Sequence, residues 1–227
     1  MRTMIVAGGR LTPAFLNKMA SACPPDFVIA ADRGIDVLLA AGRRPDLILG
    51  DFDSTKLTAG EIDDVGAALE TFPAEKDYSD FELALNEAVR RGSSDITVLG
   101  ATGGRLDHFL ANVMDLRIPL AAGIPARIVD EQNILSLHEE SFAIRRDGDT
   151  LSRAVFGERT PERYVSLLPM SGESRVSLSG LYYGGEGLEL KQSGASFGVS
   201  NRFAAEAAEI RVEDGAVLLV ESVDALT

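Results

Sequence analysis

Between Met4 and about Asp130 the chain repeats one pattern: a short run of consecutive apolar residues, then an amphipathic stretch, then another run. The runs are Met4–Ala7, Phe27–Ala31, Leu47–Leu49, Ile96–Leu99 and Ala126–Val129. A strand that is apolar at every position, rather than at alternate ones, is covered on both faces. Such strands alternating with helices build a parallel sheet, so the first half is expected to be an α/β layer structure. The clearest helix is predicted over Asp80–Arg91, where Phe81, Ala84, Leu85, Ala88 and Val89 recur at three-and-four spacing. Ser79 followed by Glu82 forms a capping box at its start, and Gly92 closes it. A second helix is expected from Arg105 to about Leu116 with Leu106, Phe109, Leu110 and Val113 on its inner face. Others cover Thr12–Ala22 and Gly34–Ala41.

After about Glu131 the texture changes to short segments broken by Gly, Ser and Asp-Gly turns: Tyr164–Met170, Arg175–Leu181, Gly187–Gln192 and Glu209–Ser222. These read as antiparallel strands of a small β-sandwich. Asp214-Gly215 is a strong two-residue hairpin signal inside the last of them, and Asp147-Gly148 a weaker one. The 227 residues therefore divide into an N-terminal parallel-sheet α/β domain over residues 1–132 and a C-terminal antiparallel β-sandwich domain over residues 133–227. The segment Ser152–Arg163 fits neither pattern and carries no assignment.

Composition removes several classes of function. Cys23 is the only cysteine, so no internal disulfide and no cysteine-built zinc cluster can form, and a reducing, cytoplasmic setting is expected. A net charge of −13 repels nucleic acid. No apolar run approaches the roughly 20 residues that span a bilayer, and the stretch from Met1 to Ala7 meets Gly8-Gly9 too soon for a secretory signal. No membrane association is expected.

Ligands of open α/β sheets collect at the carboxyl ends of the strands, and there the sequence places acids. Phe27–Ala31 ends in Asp32, Leu47–Leu49 ends in Gly50-Asp51-Phe52-Asp53-Ser54, and Ile96–Leu99 runs through Gly100-Ala101-Thr102-Gly103-Gly104-Arg105 to Asp107. Asp77 and Asp80 open the helix leading into the last of these strands. In an extended stretch Asp51 and Asp53 point to one side about 7 Å apart. At an effective dielectric near 20 they repel by about 2 kcal/mol. A hard divalent cation relieves that repulsion, and Mg²⁺ held by carboxylates and substrate phosphates is the usual solution. Two histidines in no zinc spacing argue against zinc. Thr102, Gly103, Gly104 and Arg105 supply the other half of a phosphate site: glycines that let backbone N–H groups approach oxygens, a helix start and a guanidinium fork. Ser54 reads as a cap or a phosphate contact. Arg33 and Lys76 read equally as phosphate contacts or solvated surface. No P-loop and no dinucleotide fingerprint is present.

In this order and spacing the motifs resemble the thiamine pyrophosphokinase family. The resemblance is carried by Asp32-Arg33-Gly34-Ile35, Pro45-Asp46, Gly50 to Ser54, Lys76 to Glu82, and Gly100 to His108 with Leu110-Ala111-Asn112 behind it. It thins in the second half to Gly180-Leu181-Tyr182-Tyr183 and Ser200-Asn201-Arg202-Phe203. The resemblance implies transfer of a diphosphoryl group from ATP to the hydroxyl of thiamine, giving thiamine diphosphate and AMP. It also implies a homodimer with active sites at the subunit interface. By position, Asp51, Asp53, Asp77, Asp80 and Asp107 would carry Mg²⁺ and triphosphate chemistry with Arg105, the metal itself lying on Asp51, Asp53 and Asp77. Asp32, Gly34, Ser54, Thr102, Gly103 and Gly104 would hold the nucleotide, and Tyr183, Ser200 and Asn201 the thiamine. Asp80 and Asp107 stay open as the carboxylate that orients or deprotonates the attacking hydroxyl. Arg33 and Arg202 depart from the family pattern. Competing readings are a similar transferase for another hydroxyalkyl heterocycle, a non-catalytic sensor, and a sugar-nucleotide transferase.

Overall fold

The computed structural model describes residues 1–50, 55, 57–71 and 78–225. The chain forms two compact units, Met1–Asp130 and Glu131–Thr227.

The first unit runs β1 (Arg2–Val6), α1 (Pro13–Ala22), β2 (Phe27–Ala31), α2 (Gly34–Ala40), β3 (Leu47–Gly50), α3 (Ala59–Asp63), β4 (Ala68–Thr71), α4 (Asp80–Arg90), β5 (Asp95–Leu99), α5 (Leu106–Asp115), α6 (Arg117–Ala121) and β6 (Ala126–Val129). The strands lie in the order β4-β3-β2-β1-β5-β6, all parallel, with Ile5 beside Ile29 on one side and Val98 on the other. Every apolar run of the sequence is one of these strands. Their consecutive residues are buried, as doubly covered strands require. β4 was not legible because Ala68-Leu69-Glu70-Thr71 forms an edge, where Leu69 stays 42% exposed and no apolar run is needed. The helix starts follow their caps: the Thr12 hydroxyl accepts from the Phe15 N–H at 3.2 Å, and the Ser79 hydroxyl from the Glu82 N–H at 3.0 Å.

α5 is turned relative to expectation. Phe109 is half-buried and Val113 buried, but Leu106 and Leu110 face outward, 76% and 56% exposed, in line with Met114 at 60%. The face carrying Arg105, His108, Phe109 and Asn112 points instead into a polar cleft. Hydrophobic spacing alone cannot distinguish a face packed on the core from an apolar face left outside.

The second unit runs β7 (Asn133–His138), β8 (Phe142–Arg145), α7 (Thr150–Phe156), a 3₁₀ turn over Gly157–Glu162, β9 (Tyr164–Pro169), β10 (Glu173–Ser179), β11 (Gly185–Lys191), a 3₁₀ segment over Gln192–Gly198, β12 (Ala207–Asp214) and β13 (Val217–Ser222). One antiparallel layer is β7-β13-β9 and the other is β11-β10-β12-β8. Val165, Leu167, Val217 and Leu219 of the first layer pack with Val176, Leu190, Ala208 and Ile210 of the second. The fold class is therefore the expected one, α/β followed by an antiparallel sandwich.

Two turns differ from their sequence signals. Asp214-Gly215 does not close a hairpin: β12 pairs with β10 and β8, whereas β13 pairs with β7 and β9. The chain changes layer there, which lets Ile210 and Leu219 meet across the core instead of lying side by side in one sheet. Asp147-Gly148 leads from β8 into α7, with the Gly148 N–H donating to the Arg145 carbonyl at 2.9 Å. Asp149 caps the helix by accepting from the Ser152 N–H at 2.8 Å. The segment left unassigned from sequence is thus a helix and a 3₁₀ turn that deliver Arg163 into the interior.

Candidate active site

Strand order in the first unit reverses between β1 and β5, since β2 to β4 extend to one side and β6 lies on the other. Loops leaving such a pair diverge and open a crevice at their carboxyl ends. A cleft of about 470 Å³ lies there. Its walls come from Gly8 and Gly9 after β1, Asp32 and Arg33 after β2, Tyr78 to Phe81 at the start of α4, Gly100 to Thr102 with Gly104 and Arg105 after β5, and His108, Phe109 and Asn112 of α5.

The two loops at the reversal are tied together: the Gly9 N–H donates to the Gly100 carbonyl at 2.7 Å and the Arg10 N–H to the Thr102 carbonyl at 2.9 Å. A Cβ at Gly9 would lie 2.4 Å from the Gly100 oxygen. One at Gly100, whose φ is +72°, would lie 2.4 Å from the Ala7 oxygen. Only glycines permit this approach. Asn112 is buried and donates from Nδ2 to the Ala101 carbonyl at 3.0 Å, fixing the glycine-rich turn from below.

Of the residues predicted for nucleotide and catalysis, the cleft gathers Asp32, Asp80, Thr102, Gly104 and Arg105. Asp32 ends β2 with φ +50°, a left-handed conformation that aspartate tolerates better than most residues, at a cost of about 1 kcal/mol or more. A Cβ built on Gly50 would lie 3.4 Å from Asp80 Oδ2 and 3.4 Å from the Asp32 Cα, so both acids border Gly50, the last residue of β3. Asp51, Asp53, Ser54 and Asp77 lie outside the described residues. Among the described residues no group of three His, Cys, Asp or Glu could hold a metal ion.

Three predicted positions stand elsewhere. Asp107 is exposed beside the cleft and is committed to Arg105, with Nε to Oδ1 at 3.1 Å and Nη2 to Oδ2 at 2.6 Å. The Arg105 guanidinium, joined by the His108 N–H, holds the Asp107 carboxyl well below the usual carboxylate range, at about 2. Gly103 turns toward Arg10, whose Cβ would lie 2.6 Å from a Cβ placed there. Gly34 starts α2 against β1: an added Cβ would stand 1.8 Å from the Val6 oxygen and 2.6 Å from its carbon. Gly34→Ala is therefore expected to push α2 off the sheet and to cost about 1–3 kcal/mol. Denaturant unfolding measures that cost, and unchanged stability with weakened nucleotide affinity would return Gly34 to a ligand role.

In the second unit an open pocket of about 680 Å³ is lined by Tyr164, Tyr182, Tyr183, Ser200, Arg202 and Asp224 among others. Tyr182 and Tyr183 meet edge to face with centroids 4.9 Å apart, and both rings are largely exposed. Exposed aromatic faces beside a carboxylate suit a flat cationic ring. Ser200 reaches the pocket through a φ of +62°. Asn201 is buried and turned into the chain: its Oδ1 accepts from the N–H groups of Tyr183 at 3.0 Å and Arg202 at 2.9 Å, and its Nδ2 donates to the Tyr183 carbonyl at 2.8 Å. It positions Tyr183 rather than lining the open pocket.

Sequence reasoning missed Gly8, Tyr78, His108 and Asn112 as cleft residues. The spacing of Arg105, His108, Phe109 and Asn112, three and four apart, was the available signal, because it marks one face of a helix.

A family model described as thiamin pyrophosphokinase, catalytic domain, matches residues 21–128. One described as thiamin pyrophosphokinase, vitamin B1 binding domain, matches residues 155–217. The curated thiamine pyrophosphokinase of Bacillus subtilis (strain 168) is 30% identical over 199 residues, covering 86% of this chain and 87% of that protein. Among solved structures, thiamine pyrophosphokinase from Bacillus subtilis is 26% identical with a TM-score of 0.81, covering 99% of this chain and 100% of that one. Thiamin pyrophosphokinase from Geobacillus thermodenitrificans is 32% identical with a TM-score of 0.78, covering 99% of each chain. The chain, with its parallel-sheet cleft and its antiparallel sandwich, belongs to the thiamin pyrophosphokinase family of enzymes.

Proposed function

We propose that this chain transfers the diphosphoryl group of ATP to the hydroxyl of thiamine, yielding thiamine diphosphate and AMP. The observation that carries the reading is the cleft at the β1/β5 reversal, where two acids, a glycine-rich turn and an arginine meet in a chain of this family. Residues 1–132 would bind ATP and metal, and residues 133–227 would bind thiamine.

Hard oxygen donors border the cleft at Asp32 and Asp80, which is the donor chemistry Mg²⁺ selects. Asp51, Asp53 and Asp77 are the residues we assign to hold it. When bound, the metal would neutralise phosphate charge. The Thr102–Gly104 turn cradles phosphate oxygens with its backbone, and Arg105, kept in place by Asp107, faces the charge that builds during transfer. Asp107 is exposed beside the cleft and committed to Arg105 whereas Asp80 lines it, so we assign Asp80 to orient the attacking hydroxyl. Tyr183 stacks on the thiamine, Ser200 bonds it, and Asn201 acts through the Tyr183 backbone.

We further infer a cytoplasmic homodimer with active sites at the subunit interface. Its support is the outward stripe of Leu106, Leu110 and Met114 on α5, apolar surface beside the cleft that a second copy would cover. Among the described residues no helix is long and apolar enough to cross a membrane.

Incubating the pure protein with Mg²⁺, ATP and thiamine is expected to release AMP and thiamine diphosphate in equal amounts, resolved chromatographically. ATP consumption with only a different hydroxyalkyl heterocycle would remove thiamine as the acceptor. No AMP with any acceptor would remove diphosphoryl transfer itself.

A further inference from the structure

Two guanidinium groups line the cleft of the first unit, and they are not equivalent. Arg105 spends two N–H groups on Asp107, at 3.1 and 2.6 Å. Arg33 spends one, donating from Nη2 to the Gly8 carbonyl at 2.7 Å. Among the described residues Arg33 forms no ion pair. A guanidinium carries five N–H donors in a rigid fork, so among the described residues most of the Arg33 fork is unspent.

The single bond it makes is also directional. It crosses from the β2 end to the β1 end over Gly8, where an added Cβ would come within 3.3 Å of the Arg33 Cβ. The side chain is thereby held along the cleft wall, and its exposure leaves the charge open to a ligand. In a chain of net charge −13, an anion approaching the Asp32 and Asp80 side of the cleft needs local positive charge. Arg33 is the cleft cation that no protein carboxylate neutralises among the described residues.

We propose that Arg33 is a binding residue for the phosphate chain of the nucleotide, its fork donating to phosphate oxygens while the Gly8 carbonyl holds the side chain in place. The inference rests on the reading of this cleft as an ATP site and adds to it a contact made before any chemistry. It therefore acts on affinity for the polyphosphate and not on recognition of the base or ribose.

Calorimetric titration of the wild-type chain, Arg33→Gln and Arg33→Lys with ATP and with adenosine, both in Mg²⁺ buffer, tests it. Gln keeps an N–H for Gly8 but loses the charge; Lys keeps the charge but loses the fork. Arg33→Gln is expected to weaken ATP binding by about tenfold or more, as for a lost charge-assisted hydrogen bond, with adenosine affinity unchanged. Arg33→Lys is expected to fall between. Retained adenosine binding reports an intact cleft in each variant. Unchanged ATP affinity in Arg33→Gln would overturn the inference and leave the ATP reading standing, as would equal losses for ATP and adenosine. A wild-type chain that binds neither ligand would overturn the ATP reading and the Arg33 contact with it.

Discussion

Replacing Arg163 with alanine is expected to destabilise the protein by about 3–5 kcal/mol, the cost of breaking a buried ion pair by removing one member. Arg163 is 1% exposed, and its Nε bonds Glu221, itself only 6% exposed. Three of the remaining guanidinium N–H groups donate to the carbonyls of Arg146 at 2.9 Å, Thr160 at 2.6 Å and Arg145 at 2.7 Å. Its planar face lies 4.7 Å from the centre of the Phe203 ring. Alanine would remove the Glu221 counter-charge and strand three carbonyls at once. Arg163→Lys should fare little better, because a point charge cannot reach all these acceptors. Arg163→Met combined with Glu221→Leu should recover the part of the loss that comes from the unpaired charge, while the three carbonyls stay without a donor from position 163. Urea unfolding of the three variants checks this. A loss below about 1 kcal/mol in Arg163→Ala would show that the pair contributes no more than an exposed one.

Asp53→Asn is expected to lower turnover by at least about 10²-fold, the scale seen when one preorganised electrostatic stabiliser is lost. The substitution preserves shape and removes one charge, so stability provides a second readout. If Asp51 and Asp53 crowd a metal site, the variant relieves about 2 kcal/mol of repulsion in the metal-free protein and should unfold no earlier than the wild type. Turnover falling while metal-free stability holds or rises supports the assignment. Turnover and stability falling together would point to a structural aspartate, and near-normal turnover would remove Asp53 from the site.

Stability and catalysis are thus expected to lie on different residues. Gly34 and Arg163 hold elements in place and line neither the cleft of the first unit nor the open pocket of the second, whereas Asp32, Asp80 and Arg105 line the cleft where strands end and helices begin. That separation is why the site was partly legible from the chain alone. A buried strand needs no aspartate after it, so Asp32 stands out by position; Asp80 stands out as an acid opening the helix that leads back into the sheet, and the glycines around Thr102 by the backbone freedom they confer. A glycine needed for a helix to touch a strand looks the same in sequence as one needed for a phosphate, and Gly34 meets the first requirement against Val6.

Local period and composition account for the five buried parallel strands, the helix cap at Ser79, the change to antiparallel strands after Glu131, and the acids and glycines that follow strands or open helices. Tertiary packing sets what depends on partners far along the chain. It sends β12 and β13 to different layers across Asp214-Gly215, turns Leu106 and Leu110 of α5 outward, commits Asp107 to Arg105, and folds the Asn201 carboxamide back on Tyr183. It also carries Arg163 into the sandwich to meet Glu221. The physical reason is common to these cases. Periodicity states which residues can be buried together, but the surface that buries them is made by other segments, and hydrogen-bonding groups take the partners that surface brings within reach.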